Sequence, residues 1–313
     1  AGIESGRLQA HPEPAPADVF MLCVPTPVGE GCAANLDYVR SATESICPVL
    51  KKGNLVILES TSPPGSTEMI AEIVFQNTKF QAGDIYFAHA PERVLPGHIL
   101  QEVVQNDRII GGIDEVSTQV AAGFFKTFVQ GELILCHSRT AEMAKLVENA
   151  SRDVQIAFAN ELSMICDDLD IDVRQLIHIA NRHPRVNILQ PGCGVGGHCI
   201  AVDPWFIVHL AKGKARLIET AREVNNSKPL WVAEKVKAAA SKLREPVIAC
   251  FGAAYKPDID DLRESPALEI IQNLQAAQIG RVLVVEPNIE SLPGCELVNM
   301  DQALTQADIV VFL

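Results

Sequence analysis

Val19-Phe20-Met21-Leu22-Cys23-Val24, followed by Pro25-Thr26-Pro27, is an apolar run of strand length closed by a stiff turn. Short apolar runs bounded by turn residues read as buried strands. The same grammar recurs downstream. Leu55–Leu58 leads into Ser60-Thr61-Ser62-Pro63-Pro64-Gly65-Ser66-Thr67, and Ile85–Ala88 leads into Pro91-Glu92-Arg93-Val94-Leu95-Pro96-Gly97; Arg108–Ile110 follows. Helical stretches over 36–50 and from Thr67 onward alternate with these strands, so residues 1–136 read as a parallel, doubly wound α/β domain. Loops at the carboxyl ends of such strands are where open α/β sheets bind ligands. The hydroxyl-rich loop over 60–67 offers hydroxyl and amide donors to an anion or a ribose, although an N-cap at Ser66 would account for it alone. Residues 1–17, with Pro12, Pro14 and Pro16, read as a surface segment. No strand-Gly-x-Gly-helix unit precedes Val19, so the first β-α unit is expected to be missing.

From Thr140 the period changes. Met143, Leu146, Val147, Ala150, Val154, Ala157, Phe158, Leu162 and Ile165 recur at helical spacing, and further helices are expected over Asp172–Asn181 and Ala215–Leu243. Residues 137–243 therefore read as a helical middle domain whose last helix is a long connector. Lys145 and Asn149 share one face of the first helix, with Arg152 about one turn further; a helical lysine is more often solvated than catalytic. Val247–Phe251, Val282–Val285 and Ile309–Leu313 mark a second α/β unit over 244–313, with Ser265 as N-cap and Pro266 at the first position of its helix. The expected architecture is α/β: two Rossmann-like parallel-sheet domains joined by a helical middle domain. Both ends look truncated, since the remaining strands would otherwise leave a long unpaired edge.

Pro191-Gly-Cys-Gly-Val-Gly-Gly-His-Cys-Ile-Ala-Val-Asp-Pro204 concentrates the chemistry. Its glycines at 192, 194, 196 and 197 permit positive φ and close approach to a ligand. Cys199, with an exposed carboxylate expected at Asp203, leaves two readings open: a covalent nucleophile whose pKa is lowered from about 8.5, or a tight turn with a buried thiol. Gly192, Gly194 and Gly197 satisfy G-x-G-x-x-G, but no strand precedes them, and Ile200–Pro204 reads as too short and proline-stopped for the helix that fingerprint needs. Arg182, His183 and Arg185 stand just upstream, and arginine forks suit phosphate oxygens. Lys256 and Arg263 flank the helix start at Ser265, a ready anion site.

With 39 acidic and 26 basic residues among 313, the formal charge of -13 repels phosphates and anionic lipids and disfavours nucleic acid or anionic membranes as the main partner. No apolar run approaches the roughly 18 residues of a membrane span and residues 1–20 lack signal-peptide character, so a cytoplasmic protein is expected. Nine cysteines without a C-x-x-C and eight histidines without an H-x-x-x-H argue against a disulfide framework and against a metal site.

Taken in order, Val24-Pro25-Thr26-Pro27, Ser60-Thr61 with Pro63-Pro64-Gly65, Pro91-Glu92-Arg93, Lys145 with Asn149, Gly196-Gly197-His198-Cys199 with Asp203, and Lys256 with Asp261 to Pro266 resemble the UDP-glucose/GDP-mannose dehydrogenase family. The resemblance runs from about Phe20 to the end of the chain. It implies NAD as cofactor, a four-electron oxidation of a nucleotide sugar's primary alcohol to a carboxylate that serves as a polysaccharide precursor, and a homodimer completed through the His183–Arg185 loop. It further implies that Cys199 captures the intermediate aldehyde as a thiohemiacetal and then carries a thioester. Lys145 and Asn149 would stabilise oxyanions, Glu92 would assist hydrolysis, and Asp203 would orient the thiol and the lysine. Thr26, Thr61 and Arg263 would touch NAD. Arg93, Val94, Lys145, Asn149, Arg152, His183, Arg185, Gly196, Tyr255 and Lys256 would hold the nucleotide sugar.

UDP-glucose members carry Phe-Pro-Lys after the cysteine and Phe-Leu after Pro-Glu, where this chain has Ile200-Ala201-Val202 and Arg93-Val94. His198 is similar to the N-acetyl-sugar branch, and Ala201 with Trp205 leans toward UDP-N-acetyl-D-mannosamine, oxidised to its uronate, over UDP-N-acetyl-D-glucosamine. The rival readings are a two-electron hydroxyacid dehydrogenase, a cysteine hydrolase using Cys199 and His198, and a nucleotide-sugar-binding fragment that turns nothing over.

Overall fold

A computed structural model describes residues 5–94, 97–256 and 258–313. It divides into two compact units, Ala1–Glu148 and Asn149–Leu313. Residues 5–17 are exposed, as expected of a surface segment; residues 1–4 of that segment, and Leu95, Pro96 and Pro257 of the quoted motifs, lie outside the described residues. Among the described residues no helix is long and apolar enough to cross a membrane.

In the first unit the elements run β1 (Val19–Leu22), α1 (Asp37–Ile46), β2 (Leu55–Leu58), α2 (Ser66–Asn77), β3 (Tyr86–His89), α3 (Ile99–Gln105), β4 (Arg108–Gly112), α4 (Glu115–Phe125) and β5 (Leu133–His137). The sheet order is β1-β2-β3-β4-β5. All four residues of β2 are buried because the two faces of the strand feed two cores. Val56 and Leu58 pack with Val39, Ile46, Ile70 and Val74 of α1 and α2, whereas Leu55 and Ile57 pack with Ala121, Ala122 and Phe125 of α4. Such two-sided cover is why these strands read as continuous apolar runs.

The first three strands are parallel, but β4 runs antiparallel to β3, with Ala88 opposite Gly112 and His89 opposite Gly111; β5 then runs parallel to β4. The Rossmann-like architecture stands, with this departure from an all-parallel sheet. Its cause is α3, which buries no residue and so cannot serve as the packed crossover that a parallel return requires. α4, with five buried residues, does serve as one between β4 and β5. Gly111 and Gly112 close β4 without side chains because a Cβ would come 2.7 Å from the His137 carbonyl oxygen and 2.3 Å from the Thr118 amide, respectively.

Ser66 is not the N-cap of α2. Gly65 takes that position at φ +100°, and the Ser66 hydroxyl donates to the Pro63 carbonyl at 2.6 Å. The amides of Gly65 and Thr67 donate instead to the buried Glu142 carboxylate at 2.7 Å each, and the Thr67 hydroxyl adds a bond at 2.6 Å. Burial pushes the Glu142 carboxyl above its usual value.

The remaining elements are α5 (Ser138–Asp168), α6 (Val173–Ala180), α7 (Asp203–Ala211), α8 (Arg216–Ala240), β6 (Val247–Phe251), α9 (Pro266–Ala276), β7 (Arg281–Val285), β8 (Glu296–Leu297), α10 (Met300–Gln306) and β9 (Ile309–Phe312). The division between the units falls within α5. In the second unit β8-β7-β6-β9 form an all-parallel sheet. Ile248 and Cys250 face Ala233 and Val236 of α8 and Ile270 and Leu274 of α9. Ser265 caps α9 as expected, accepting from the Leu268 amide. One expectation is overturned at Pro204. It does not stop a helix but lies in the first turn of α7, where a missing N–H leaves no bond unmade. The glycine loop thus does enter a helix, and the dinucleotide fingerprint fails on the absent strand alone, since no regular element occupies 187–202.

Candidate active site

The loop that carries Cys199 is anchored from both ends of its run. The buried Asn160 of α5 accepts the Gly192 amide at 2.9 Å and donates to Asn225 of α8 at 2.9 Å. Asn225 in turn donates to Asp153 at 2.8 Å, and Arg222 pairs with the same carboxylate at 2.6 Å. Further along, a Cβ on Gly196 would come 2.5 Å from the Glu264 carbonyl and 2.7 Å from the Tyr255 Cβ, and one on Gly197 would meet the Tyr255 ring at 2.8 Å. These glycines permit close approach, and they bring Gly196 and Gly197 against Tyr255.

Cys199 is exposed, which rules out the buried-thiol reading. Asp203, expected to be exposed, is only 3% exposed. Its amide donates to the Cys199 carbonyl at 2.9 Å as the chain turns into α7, and that turn directs its carboxylate inward, where Oδ2 accepts from Asn149 Nδ2 at 2.6 Å. Asn149, Asp203 and Cys199 are therefore neighbours. Lys145 lies one turn before Asn149 on α5 and is half-buried, whereas Arg152 is exposed. His183 and Arg185 are exposed on a loop closed by two bonds between Asn181 and Ile188. Ala201 and Trp205 line a cavity of about 350 Å³ together with Arg222, Asn226 and Glu264. Arg263 chelates Asp261 through Nε and Nη2, holding that carboxyl down to about 2, while Lys256 stands exposed nearby in sequence.

In the first unit, the carboxyl ends of β1 and β2 are stapled. The Ser60 hydroxyl accepts the Val24 amide at 2.8 Å, and the Thr26 hydroxyl donates to the Thr61 carbonyl at 2.7 Å. Hydroxyls and amides gathered at the ends of parallel strands suit the riboses and phosphates of a dinucleotide, so Thr26 and Thr61 fit NAD at this edge. Beside them lies a charged group. Glu92 accepts from the Arg93 amide at 2.6 Å and from Arg108 Nη1 at 3.1 Å; Arg108 Nη2 also binds Glu59 at 2.5 Å, and Glu59 accepts from the Cys23 thiol at 2.9 Å. Desolvation and the Glu59 carboxylate push that thiol up to about 12, so it stays a donor. Arg93 itself is paired with Glu148 at 2.9 Å, and Val94 is half-buried. Arg108, Glu59 and Cys23 were missed from the sequence, as were Arg222 and Asn225. For the latter pair, polar residues at i and i+3 on a helix were the available signal.

Models of the UDP-glucose/GDP-mannose dehydrogenase family match the chain over residues 1–129 (NAD binding domain), 139–227 (central domain) and 249–313 (UDP binding domain). An NDP-N-acetyl-D-galactosaminuronic acid dehydrogenase of Ralstonia nicotianae is 55% identical across 100% of this chain and 77% of its own length. A UDP-N-acetyl-D-mannosamine dehydrogenase of Campylobacter jejuni is 53% identical across 99% of this chain and 80% of its own. Among solved structures, a UDP-N-acetyl-mannosamine dehydrogenase from S. aureus superposes with a TM-score of 0.90 at 44% identity, covering 99% of this chain and 75% of that one. The chain belongs to the UDP-glucose/GDP-mannose dehydrogenase family, as an oxidoreductase that uses NAD on a nucleotide sugar.

Proposed function

We propose that the chain oxidises UDP-N-acetyl-D-mannosamine at its primary alcohol to UDP-N-acetyl-D-mannosaminuronate, a four-electron reaction in which Cys199 carries the sugar between the two oxidations. The observation that carries this reading is the exposed Cys199 at the end of a glycine loop, one turn from a buried carboxylate held by Asn149. A thiol so placed adds to an aldehyde carbon and keeps the intermediate from escaping. Bound NAD supplies the hydride acceptor for each oxidation. Asp203 orients the thiol and Lys145, and the lysine ammonium with the Asn149 amide stabilises oxyanions. Release requires water: its oxygen bonds to the thioester carbon, the carbon–sulfur bond breaks, and one water proton passes to Glu92.

Thr26, Thr61 and Arg263 hold NAD in this reading. Arg93, Val94, Arg152, His183, Arg185, Gly196, Tyr255 and Lys256 hold the nucleotide sugar, and a second copy of the chain completes the site through the 183–185 loop. Domain borders at 136/137 and 243/244 belong to the same proposal.

The Ralstonia relative favours a second reading in which the substrate is an NDP-N-acetyl-D-galactosamine. The test is NADH formed per sugar consumed with UDP-N-acetylmannosamine, UDP-N-acetylgalactosamine and UDP-N-acetylglucosamine, for the chain and for its Cys199→Ala variant. Two NADH per UDP-N-acetylmannosamine, lost in the variant, supports the proposal. Preference for another of these sugars replaces the substrate, and one NADH, or indifference to Cys199, replaces the mechanism.

A further inference from the structure

The reversal of β4 has a chemical result. Because Ala88 faces Gly112 and His89 faces Gly111, continuing the antiparallel register past the end of β3 sets Arg108 opposite Glu92. The first residue of β4 thereby reaches the edge where β1 and β2 end, beside Cys23 and Glu59. Arg108 is clamped there. Its side chain is 7% exposed, its guanidinium stacks 4.7 Å over the Phe125 ring, and its two terminal nitrogens are divided between Glu59 and Glu92. The Cys23 thiol occupies the second oxygen of Glu59, so Glu59 is itself fixed.

We propose that Arg108 is a positioning residue for the hydrolytic half of the reaction. It fixes the plane and rotamer of Glu92, with Glu59 and the Cys23 thiol as its far anchor. The inference rests on the role given to Glu92 above. The Arg93 amide takes Oε1 and Arg108 takes Oε2, yet each carboxylate oxygen has two lone-pair directions, so one remains on each for a water. The forked guanidinium is needed because a lysine ammonium is a point charge that cannot hold two carboxylates at the fixed angle of the fork. Loss of alignment leaves the carboxylate in place but turns its lone pair from the water. Hydrolysis then slows while the two oxidations continue, and the sugar thioester accumulates on Cys199.

The experiment compares the chain with Arg108→Lys, Glu92→Gln, the double variant and Glu59→Gln, using UDP-N-acetylmannosamine with excess NAD. It reads kcat, KM, and the intact mass of protein quenched within one turnover. Arg108→Lys should lower kcat by about 10- to 100-fold, as for a misplaced catalytic group, with KM falling alongside it because the steps before the thioester are untouched, and should show the uronyl adduct on Cys199. Glu92→Gln should show the same adduct, the double variant should be no slower than Glu92→Gln, and Glu59→Gln should show the adduct at a smaller kcat loss. Absence of the adduct in Glu92→Gln overturns the role of Glu92 and the inference with it. Its presence there but not in Arg108→Lys, or losses that multiply in the double variant, overturns the inference alone. Should Arg108→Lys not give a cooperative melt, Glu59→Gln decides: an adduct supports the positioning role and none overturns it.

Discussion

Glu92 and Cys199 are held by opposite means. Around Glu92 the work is done by charge: one buried guanidinium between two carboxylates, with a protonated thiol behind. Around Cys199 it is done by the lack of side chains, since the loop reaches Tyr255 and Glu264 only where no Cβ intervenes. A charged clamp can be weakened by degrees, because a substituted partner still leaves some attraction. A steric fit has no partial form, since a backbone oxygen cannot move out of the way of a new carbon.

That contrast predicts its largest effect at Gly196. Gly196→Ala sets a carbon 2.5 Å from the Glu264 carbonyl; the overpacking should cost about 1–3 kcal/mol in urea unfolding, and displacement of the loop should cost about 100-fold in kcat. Full activity would erase the distinction. Next comes Asn149→Ala, which removes a 2.6 Å donor from the buried Asp203 carboxylate and should destabilise by about 1–3 kcal/mol, measured by the same unfolding assay. Third is Glu142→Gln, which puts an amide N–H against an amide donor and should cost about 1 kcal/mol of helix capping. Burial raises the Glu142 carboxyl, so the folded chain holds that proton more tightly than the unfolded one. Its contribution is therefore fullest below the usual 4.5 and is lost as pH rises through the raised value. The variant should show a flatter stability profile across that window. The smallest effect belongs to Asp261→Asn. The Arg263 contact lowers the Asp261 carboxyl from 3.8 to about 2, so its contribution is present above 3.8 and fades as pH falls toward 2. Acid unfolding of the variant should lose only that shallow limb.

What the sequence disclosed follows the same line. β2, β6, the Ser265 cap and the glycine loop were legible because each depends on residues adjacent in the chain. The antiparallel turn into β4 was not, since it follows from α3 failing to bury a face, and periodicity does not report what a short helix packs against. Asp203 was misjudged because a carboxylate ordinarily faces water, whereas here it is buried and accepts from Asn149 on α5, 54 positions away. Pro204 was misread because proline ends helices and begins them equally well, the difference lying in which side the helix is on. The Arg108 clamp gathers positions 23, 59, 92 and 108, a set that only the sheet order assembles.

The Glu142 cap bears on how this chain could be cut or recombined. A module border placed at residue 136, where the strand-and-helix pattern ends, would carry α2 away without the side chain that accepts from the Gly65 and Thr67 amides at its start. A fragment ending there would inherit every strand of the five-stranded sheet but the last residue of β5, and yet begin α2 with bare donors. A fragment that also keeps the opening turns of α5 would retain Glu142, and with it the partner of both amides.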